Sequence, residues 1–424
     1  MPPVQDVGAE MVQGAAELID GERLWQRLME LARYGATDKG GVRRLALSQE
    51  EIAARACLVR WGRALGLEAS TDAAANLFLT LKGREPDLPP VLIGSHIDSQ
   101  PTGGKFDGAY GVIAALEAAQ AMAQLPAPPR RSVAVVAWMN EEGSRFAPGM
   151  MGSALFTGKR NLAEVLAVRD ADGSSVGAAL AEVLAAEPVL PRRPLGFPVA
   201  AYLEPHIEQG PALQERQHSV GIVTGIQGKR TFRVEIAGEE SHAGTTPRRR
   251  RRDALVSAVA IIAALQNAMW DEADSVRFTI GRLNVTPNAP SVVPGRVEFS
   301  IDLRHDERSV IQELGDAVAG TCAAARGACE VKVTELLYDV PVHFPAAIRT
   351  RLGETSRALG LTCSELPSPA GHDARCLHYV CPTGMIFIPC KDGISHNEAE
   401  SITPADATAG ARVLAAAAWG LANQ

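Results

Sequence analysis

Apolar and polar positions change their period several times along this chain. Val91-Leu92-Ile93 and the run from Val133 to Ala137 are short, apolar and rich in β-branched residues, which predicts strands buried on both faces. Between them, Gly111 to Ala123 predicts a helix. Strand, helix and strand in alternation predict a largely parallel α/β sheet with helices on its faces. Upstream, Ser48-Gln49-Glu50-Glu51 has the pattern of a capping box. The helix it opens would carry Ile52, Leu58, Trp61 and Leu65 and stop near Gly66. The middle of the chain has a different rhythm. Thr231 to Ile236 alternates like a half-exposed strand. Thr246 as cap and Pro247 in the first turn predict the start of a long helix. Strands are expected over Val276 to Leu283 and Gly295 to Leu303, then a helix from about Ser309. This order predicts a small α+β domain over residues 225–335, inserted between residues 1–224 and 336–424 of the larger α/β domain. An alanine-rich helix, Ala405 to Leu421, is expected at the end.

Composition supports two domains. A chain of 424 residues exceeds one comfortable hydrophobic core. Its 46% hydrophobic and 21% charged residues argue against wholesale disorder. The formal net charge of −7 gives no general pull toward nucleic acid. No apolar run approaches the roughly 18 residues of a membrane span. The opening stretch MPPVQDVGAEMVQGAAELID lacks a basic region followed by an apolar one, so no signal peptide is expected. Seven scattered cysteines, an odd number without a C-x-x-C pair, fit reduced thiols in a cytoplasm.

The chemistry gathers after the predicted strands, where parallel sheets bind their ligands. Gly94-Ser95-His96-Ile97-Asp98 follows the first strand and Asn140-Glu141-Glu142 the second. His96 and Asp98 are two apart, so on extended chain they point the same way. One can ligate a metal while the other orients it. Asp107 sits between glycines in Gly103-Gly104-Lys105-Phe106-Asp107-Gly108, which lets the backbone bend closely around an ion. Glu141 and Glu142 are adjacent and cannot share one face. His206 and His396 complete the set. Imidazoles and carboxylates together suit zinc, manganese, cobalt or nickel rather than a calcium cage. Three imidazoles and two carboxylates suffice for a pair of metals if one carboxylate bridges, and a free carboxylate then serves as general base.

Gly-Ser-His96-Ile-Asp98-Ser, Gly-Gly-Lys-Phe-Asp107-Gly, Asn-Glu141-Glu142-Gly, Glu-Pro-His206-Ile-Glu-Gln-Gly, Glu-Ser-His242-Ala-Gly-Thr-Thr-Pro and Asp-Gly-Ile-Ser-His396-Asn-Glu occur in that order. They resemble the motifs of the M20 metallopeptidase-like amidases, in particular the hydantoinase/carbamoylase branch. That branch holds N-carbamoyl-L-amino acid hydrolases, β-ureidopropionases and allantoate amidohydrolases. The resemblance runs from about residue 20 to the C-terminus. It implies a zinc-peptidase-like catalytic domain with an inserted ferredoxin-like lid through which two copies dimerise. It also implies two divalent metals per chain: His96 and His206 on one, Glu142 and His396 on the other, Asp107 bridging. Glu141 would be the general base and Asp98 would hold His96.

For the substrate, the resemblance implies Arg304 as the cation for a carboxylate, its planar fork suited to bidentate pairing. His242 would polarise the reacting carbonyl or hold an anion. Three departures from the family pattern bear on the substrate pocket. Ser291 stands where an asparagine commonly contacts substrate, Lys229 where a glutamine is common, and Pro369 where the second residue of Ser-Gly-Ala-Gly-His-Asp is glycine. A hydroxyl and an ammonium cannot reproduce two amide donor–acceptor sets. His372, in Ala370-Gly371-His372-Asp373, is a candidate pocket residue. The expected reaction is hydrolysis of an N-carbamoyl amino acid to amino acid, carbon dioxide and ammonia. The alternatives are hydrolysis of allantoate, a dipeptidase-like activity, and a silent protein that kept only the fold. The Arg248 to Arg252 run is expected as a solvated face, or as a device that steers anions. Nucleic-acid binding fits poorly with an acidic chain that has no aromatic stacking platform. His305, His218 and His343 have no motif around them and are expected to be surface or structural groups.

Overall fold

The computed structural model describes residues 13–187 and 189–424, and the N-terminal residues on which the signal-peptide expectation chiefly rests lie outside them. The chain forms two compact units. The first comprises the described residues up to Thr224, Phe344–Leu366 and Gly371–Gln424; the second comprises Gly225–His343 and Pro367–Ala370.

The first unit opens with α1 (Gly21–Leu31) and α2 (Gln49–Ala64). Ser48 caps α2 by accepting from the Glu51 N–H at 3.3 Å. The Glu51 carboxylate reaches back one residue further than a capping box requires, to the Leu47 N–H. Five strands follow: β1 (Glu68–Thr71), β2 (Leu77–Leu81), β3 (Val91–His96), β4 (Val133–Trp138) and β5 (Ala201–Ile207), with α3 (Ala109–Ala123) between β3 and β4. Every residue of β3, β4 and β5 is buried, the apolar run of β4 and also Ser95 and His96 of β3 and Glu204 and His206 of β5. β6 (Val220–Ile226) leads into the second unit.

In the second unit, β7 (Gly228–Ala237) precedes the short β8 (Ser241–His242) and the helix α4 (Ala254–Ala268). This helix starts later than Thr246-Pro247 predicted. Asp253 caps it, accepting from Leu255 and Val256 N–H at 3.1 Å, a stronger cap than threonine. Pro247 opens only a single 3-10 turn, Arg248–Arg250. Arg251 fastens that segment instead, its guanidinium donating to the carbonyls of Ala243 (2.7 Å) and Thr246 (2.8 Å). The expected strand over 276–283 is broken in two, β9 (Arg277–Thr279) and β10 (Leu283–Thr286). Both pair with β12 (Arg296–His305), Thr279 opposite Asp302 and Leu283 opposite Phe299. Four steps along one strand therefore meet three along the other, and the extra residue is a bulge around Gly281. After β11 (Val292–Val293) and β12 come α5 (Arg308–Ala325), β13 (Glu330–Asp339) and β14 (Val342–His343).

The sheet of this unit runs β10-β12-β7-β13, with β9 also on β12, and every pairing is antiparallel. That is the ferredoxin-like order for two strand–helix–strand halves. Residues alternate along β12. Val297, Phe299, Ile301 and Leu303 face a core shared with Ile261 and Leu265 of α4 and Ile311 and Val318 of α5. Ser300, Asp302 and Arg304 take the other face. His305 is buried, its ring nitrogens near Ser275 (3.1 Å) and Glu307 N–H (2.9 Å), which makes it a structural group.

The chain completes the first unit with β15 (Cys363–Ser368), β16 (Thr383–Ile388) and α6 (Pro404–Ala422), which Thr403 caps through the Asp406 N–H at 3.1 Å. The large sheet has the order β1-β2-β4-β3-β5-β16-β6. β4, β3, β5 and β16 run parallel at its centre. α3 and α6 pack on one face against Val91, Ile93, Val133 and Val135. Each such side chain contributes about 1.5–3 kcal/mol relative to exposure. The other face carries an aromatic cluster of Phe78, Trp138, Phe156 and Tyr202. All seven cysteines are free thiols. Among the described residues, no helix is long and apolar enough to cross a membrane.

Candidate metal centre

Four parallel strands end side by side, and each end delivers one part of a single site. His96 is the last residue of β3 and His206 the last but one of β5. Glu141 and Glu142 follow β4, and His396 follows β16. His96 Nδ1 lies 3.0 Å from the Asp98 carbonyl, and His206 Nδ1 lies 2.9 Å from the Ile207 carbonyl. A carbonyl can only accept, so both rings carry a proton on Nδ1 and turn Nε2 inward, the nitrogen that each would offer to a metal. Asp107 stands between them. Its Oδ1 is 3.7 Å from His96 Nε2 and 3.2 Å from His206 Nε2. Its Oδ2 is 3.3 Å from His396 Nε2, which is 3.5 Å from Glu142 Oε2. Two triads result, His96–Asp107–His206 and Asp107–Glu142–His396, and each presents three ligand atoms within 4.8 Å of one another. Glu141 belongs to neither; its Oε2 lies 3.6 Å from His96 Nε2.

The supports of this cluster come from far along the chain. The Asp98 carboxylate accepts from the N–H of Glu141 (3.1 Å) and Glu142 (3.2 Å), and sits 3.4 Å from His96 Nδ1. It thus orients both glutamates as well as the histidine. Glu400 accepts from the N–H of Phe106 (2.9 Å) and Asp107 (3.0 Å). The Ser395 hydroxyl lies 3.0 Å from both Asp107 Oδ2 and Glu400. Gln209 donates its amide to Asp107 Oδ2 at 2.8 Å. The sequence pattern alone assigns no role to Gln209, Ser395 or Glu400. Gln209 and Ser395 lay inside quoted motifs, while Glu400 had no local signal.

Gly108 makes the cluster possible. Its φ is +60°, and a Cβ there would fall 2.3 Å from His96 Nε2. Gly108→Ala is expected to cost more than the roughly 1 kcal/mol of an ordinary positive-φ replacement, because the ring must also move. The metal content of Gly108→Ala, measured by atomic emission, should fall below that of the parent chain. Full occupancy would show that the ring has room.

Burying so many ionisable groups shifts them strongly. Burial pushes the Glu141 carboxyl well above its ordinary range, with Asp373, Glu142 and Asp98 adding to the rise and His96 opposing it. Burial and then Asp107 raise Glu142 to about 7. The hydrogen bond to Asp107 lifts His396 to about 9, against partial burial. Two buried atoms, His206 Nε2 and Glu142 Oε1, make no hydrogen bond in the protein. Each such orphan costs about 1–3 kcal/mol. A divalent cation in each triad would take up both orphans, and the mixed nitrogen and oxygen donors suit zinc, manganese, cobalt or nickel. The residues present therefore fit a metal pair.

The remaining predicted residues fall into two places. His372 is buried in the first unit, its ring edge-on to His206 at 4.4 Å; burial, with His206 beside it, holds its pKa well below the ordinary value. His242, Ser291, Lys229 and Arg304 belong to the second unit. His242 on β8 pairs with Val292 on β11, and Ser291 accepts from Ala243 N–H at 3.0 Å, so these two share one ribbon. His242 Nδ1 accepts from Gly244 and Thr245 N–H at 3.0 and 3.1 Å, which puts the ring proton on the exposed Nε2. Lys229 and Arg304 face each other across β7 and β12. Asp302 joins them, 3.2 Å from Lys229 Nζ and 2.8 Å from Arg304 Nε. Of the arginine run, Arg248, Arg249 and Arg250 are exposed, as a solvated face requires, whereas Arg251 is tied into the His242 loop.

Comparison with known proteins agrees with this geometry. Residues 92–419 match peptidase family M20/M25/M40. The N-carbamoyl-L-amino acid amidohydrolase of Geobacillus stearothermophilus is 40% identical over 96% of this chain and 100% of its own length. The allantoate amidohydrolase of Bacillus subtilis (strain 168) is 34% identical over 91% of this chain and 93% of its own. Among solved structures, a hydantoinase/carbamoylase family amidase from Burkholderia multivorans superposes with a TM-score of 0.88 at 41% identity, covering 96% of this chain and 98% of that one.

Proposed function

This chain belongs to peptidase family M20/M25/M40, in its hydantoinase/carbamoylase branch of amidases, and from that premise we propose that it hydrolyses the ureido C–N bond of an N-carbamoyl amino acid. It is a hydrolytic enzyme of non-peptide C–N bonds, as its amidohydrolase relatives are. The observation that carries the reading is the pair of triads sharing Asp107 with Glu141 left free beside them. Two divalent cations, zinc or else manganese, cobalt or nickel, would supply Lewis acidity to the attacking water and the ureido carbonyl when bound. His96, Asp107 and His206 would hold one; Asp107, Glu142 and His396 the other.

Glu141 takes a proton from the attacking water as its oxygen adds to the ureido carbon. Its carboxylate is left out of both triads and lies 3.6 Å from His96 Nε2, which leaves it free to accept that proton and to return it. It then delivers the proton to the terminal nitrogen as the C–N bond breaks, so ammonia leaves. The N-carboxy amino acid that remains loses carbon dioxide. His242 presents an Nε2–H donor, suited to the carbonyl oxygen as negative charge develops there, where a preorganised donor is worth several kcal/mol. Arg304 would meet the substrate carboxylate. The same reading carries a homodimer built through the second unit, and a cytoplasmic setting.

Allantoate is the second reading, favoured by the relative that is 34% identical and bears that name. A panel of N-carbamoyl-L-amino acids, allantoate and dipeptides decides, assayed for ammonia with each of the four metals. The expected result is ammonia from N-carbamoyl-L-amino acids, with kcat/KM at least about tenfold above that for allantoate, a difference of about 1.4 kcal/mol. Amino acids released from dipeptides with no ammonia would overturn the proposal.

A further inference from the structure

The exposed face of the second unit's sheet gathers more cations than one carboxylate needs. Lys229, Arg304 and Arg277 stand directly opposite one another on β7, β12 and β9, a row of three positive charges in register. Like charges directly opposite destabilise a sheet. Arg282, at the bulge beside β9, has no ion pair or side-chain hydrogen bond among the described residues. Arg277, Arg282 and Arg304 border one cavity of about 670 Å³, with the hydroxyls of Thr279 and Ser300 between them. Asp302 is the one carboxylate among its lining residues.

That carboxylate is already committed. Its two oxygens hold the Arg304 fork at 2.8 and 3.2 Å, and Lys229 at 3.2 Å. The remaining Arg304 Nη1 donates to the Pro369 carbonyl at 2.9 Å. Arg304 is therefore the best-satisfied cation of the cavity. Arg277 has one ion pair, to Asp274 at 3.0 Å, whose side chain is 87% exposed. Such an exposed pair holds its partner weakly. Leu336, the residue skipped where β13 shifts register between Glu335 and Leu337, projects a half-exposed apolar group at the cavity edge.

We propose that Arg277 and Arg282 form a second anion subsite beside Arg304, so that this cavity takes a dicarboxylate: the N-carbamoyl derivative of an acidic amino acid. One acid group meets Arg304 and the other meets Arg277 and Arg282, while Leu336 covers the methylenes between. Opposed side chains on neighbouring strands are roughly 5 Å apart at Cβ, the spacing of two carboxylates joined by a short carbon chain. This assignment rests on the ureido-acid hydrolysis proposed above.

Two measurements on the full-length, metal-loaded protein test it. In calorimetry, glutarate should bind about tenfold or more tightly than butyrate, and Arg277→Gln or Arg282→Gln should remove most of that advantage, with Arg282→Lys restoring part of it. In kinetics, the ratio of kcat/KM for N-carbamoyl-L-glutamate over N-carbamoyl-L-leucine should fall about tenfold in either glutamine variant. Equal binding of glutarate and butyrate, or variants that leave the ratio unchanged, would overturn the subsite while leaving ureido hydrolysis intact. Ammonia release from no ureido acid, with glutarate binding still dependent on both arginines, would overturn the hydrolysis reading and leave a dicarboxylate site.

Discussion

Glu141→Gln should retain both metal ions and turn over N-carbamoyl substrate about 100- to 10,000-fold more slowly, the usual share of a general base. The geometry separates the two properties. Neither triad uses Glu141, so its loss removes no ligand. Glutamine is nearly isosteric and keeps the main-chain N–H that Asp98 holds at 3.1 Å. What it lacks is an oxygen that can take up a proton and give it back. The neighbouring Glu142 carboxylate is no substitute, because it lies 3.5 Å from His396 and belongs to a triad. Removing the negative charge should also lower the pKa of His96 in the metal-free protein. Burial alone would depress that histidine, and Glu141 is the first of the carboxylates that hold it well above the ordinary value. Metal analysis beside initial rates decides the matter. A variant that loses metal in step with activity would make Glu141 a ligand. One that keeps both would move the proton work to another group.

Much of this site was legible because it sits at strand ends whose patterns are unambiguous. Val91-Leu92-Ile93 can be nothing polar-faced, so His96 had to emerge at the carboxyl edge of a buried strand. The supports were not legible, because they act across the fold. Glu400 holds the backbone of Asp107 from 293 positions away, and no local pattern announces such a pair. The Arg304–Asp302 pair is a different kind of miss. Two residues apart on a strand, they share a face by the rule that joins His96 to Asp98, and Asp302 takes the Arg304 fork that the sequence motif assigns to substrate. The Thr246-Pro247 signal failed for a third reason. Both residues suit a helix start, but Asp253 supplies the better cap, and Arg251 turns back to claim the carbonyls of Ala243 and Thr246. Where two start signals compete within one turn or two, tertiary contacts choose between them.

The largest loss of all is expected from Asp107→Ala, because this one carboxylate serves both halves of the centre. Oδ1 faces His96 and His206 while Oδ2 faces His396, so its removal takes a ligand from each triad at once. His96→Ala or Glu142→Ala, by contrast, breaks one triad and leaves three residues in the other. Activity should fall by at least about 1,000-fold, since both ions that would supply Lewis acidity lose a ligand at once. Metal content should fall toward zero rather than to one ion per chain. The metal-free protein offers a check independent of turnover. The hydrogen bond to Asp107 is the main reason His396 lies near 9. Its folded-state pKa is therefore raised, and the stabilisation is present below the unfolded value and lost as pH rises through about 9. In Asp107→Ala the His396 proton should titrate lower, with NMR of the ring as the readout, and that part of the pH dependence of stability should disappear. An Asp107→Ala protein that still holds one tightly bound ion would mean that a triad can close without the shared carboxylate. The bridging arrangement would then be wrong even if the fold and the family stand.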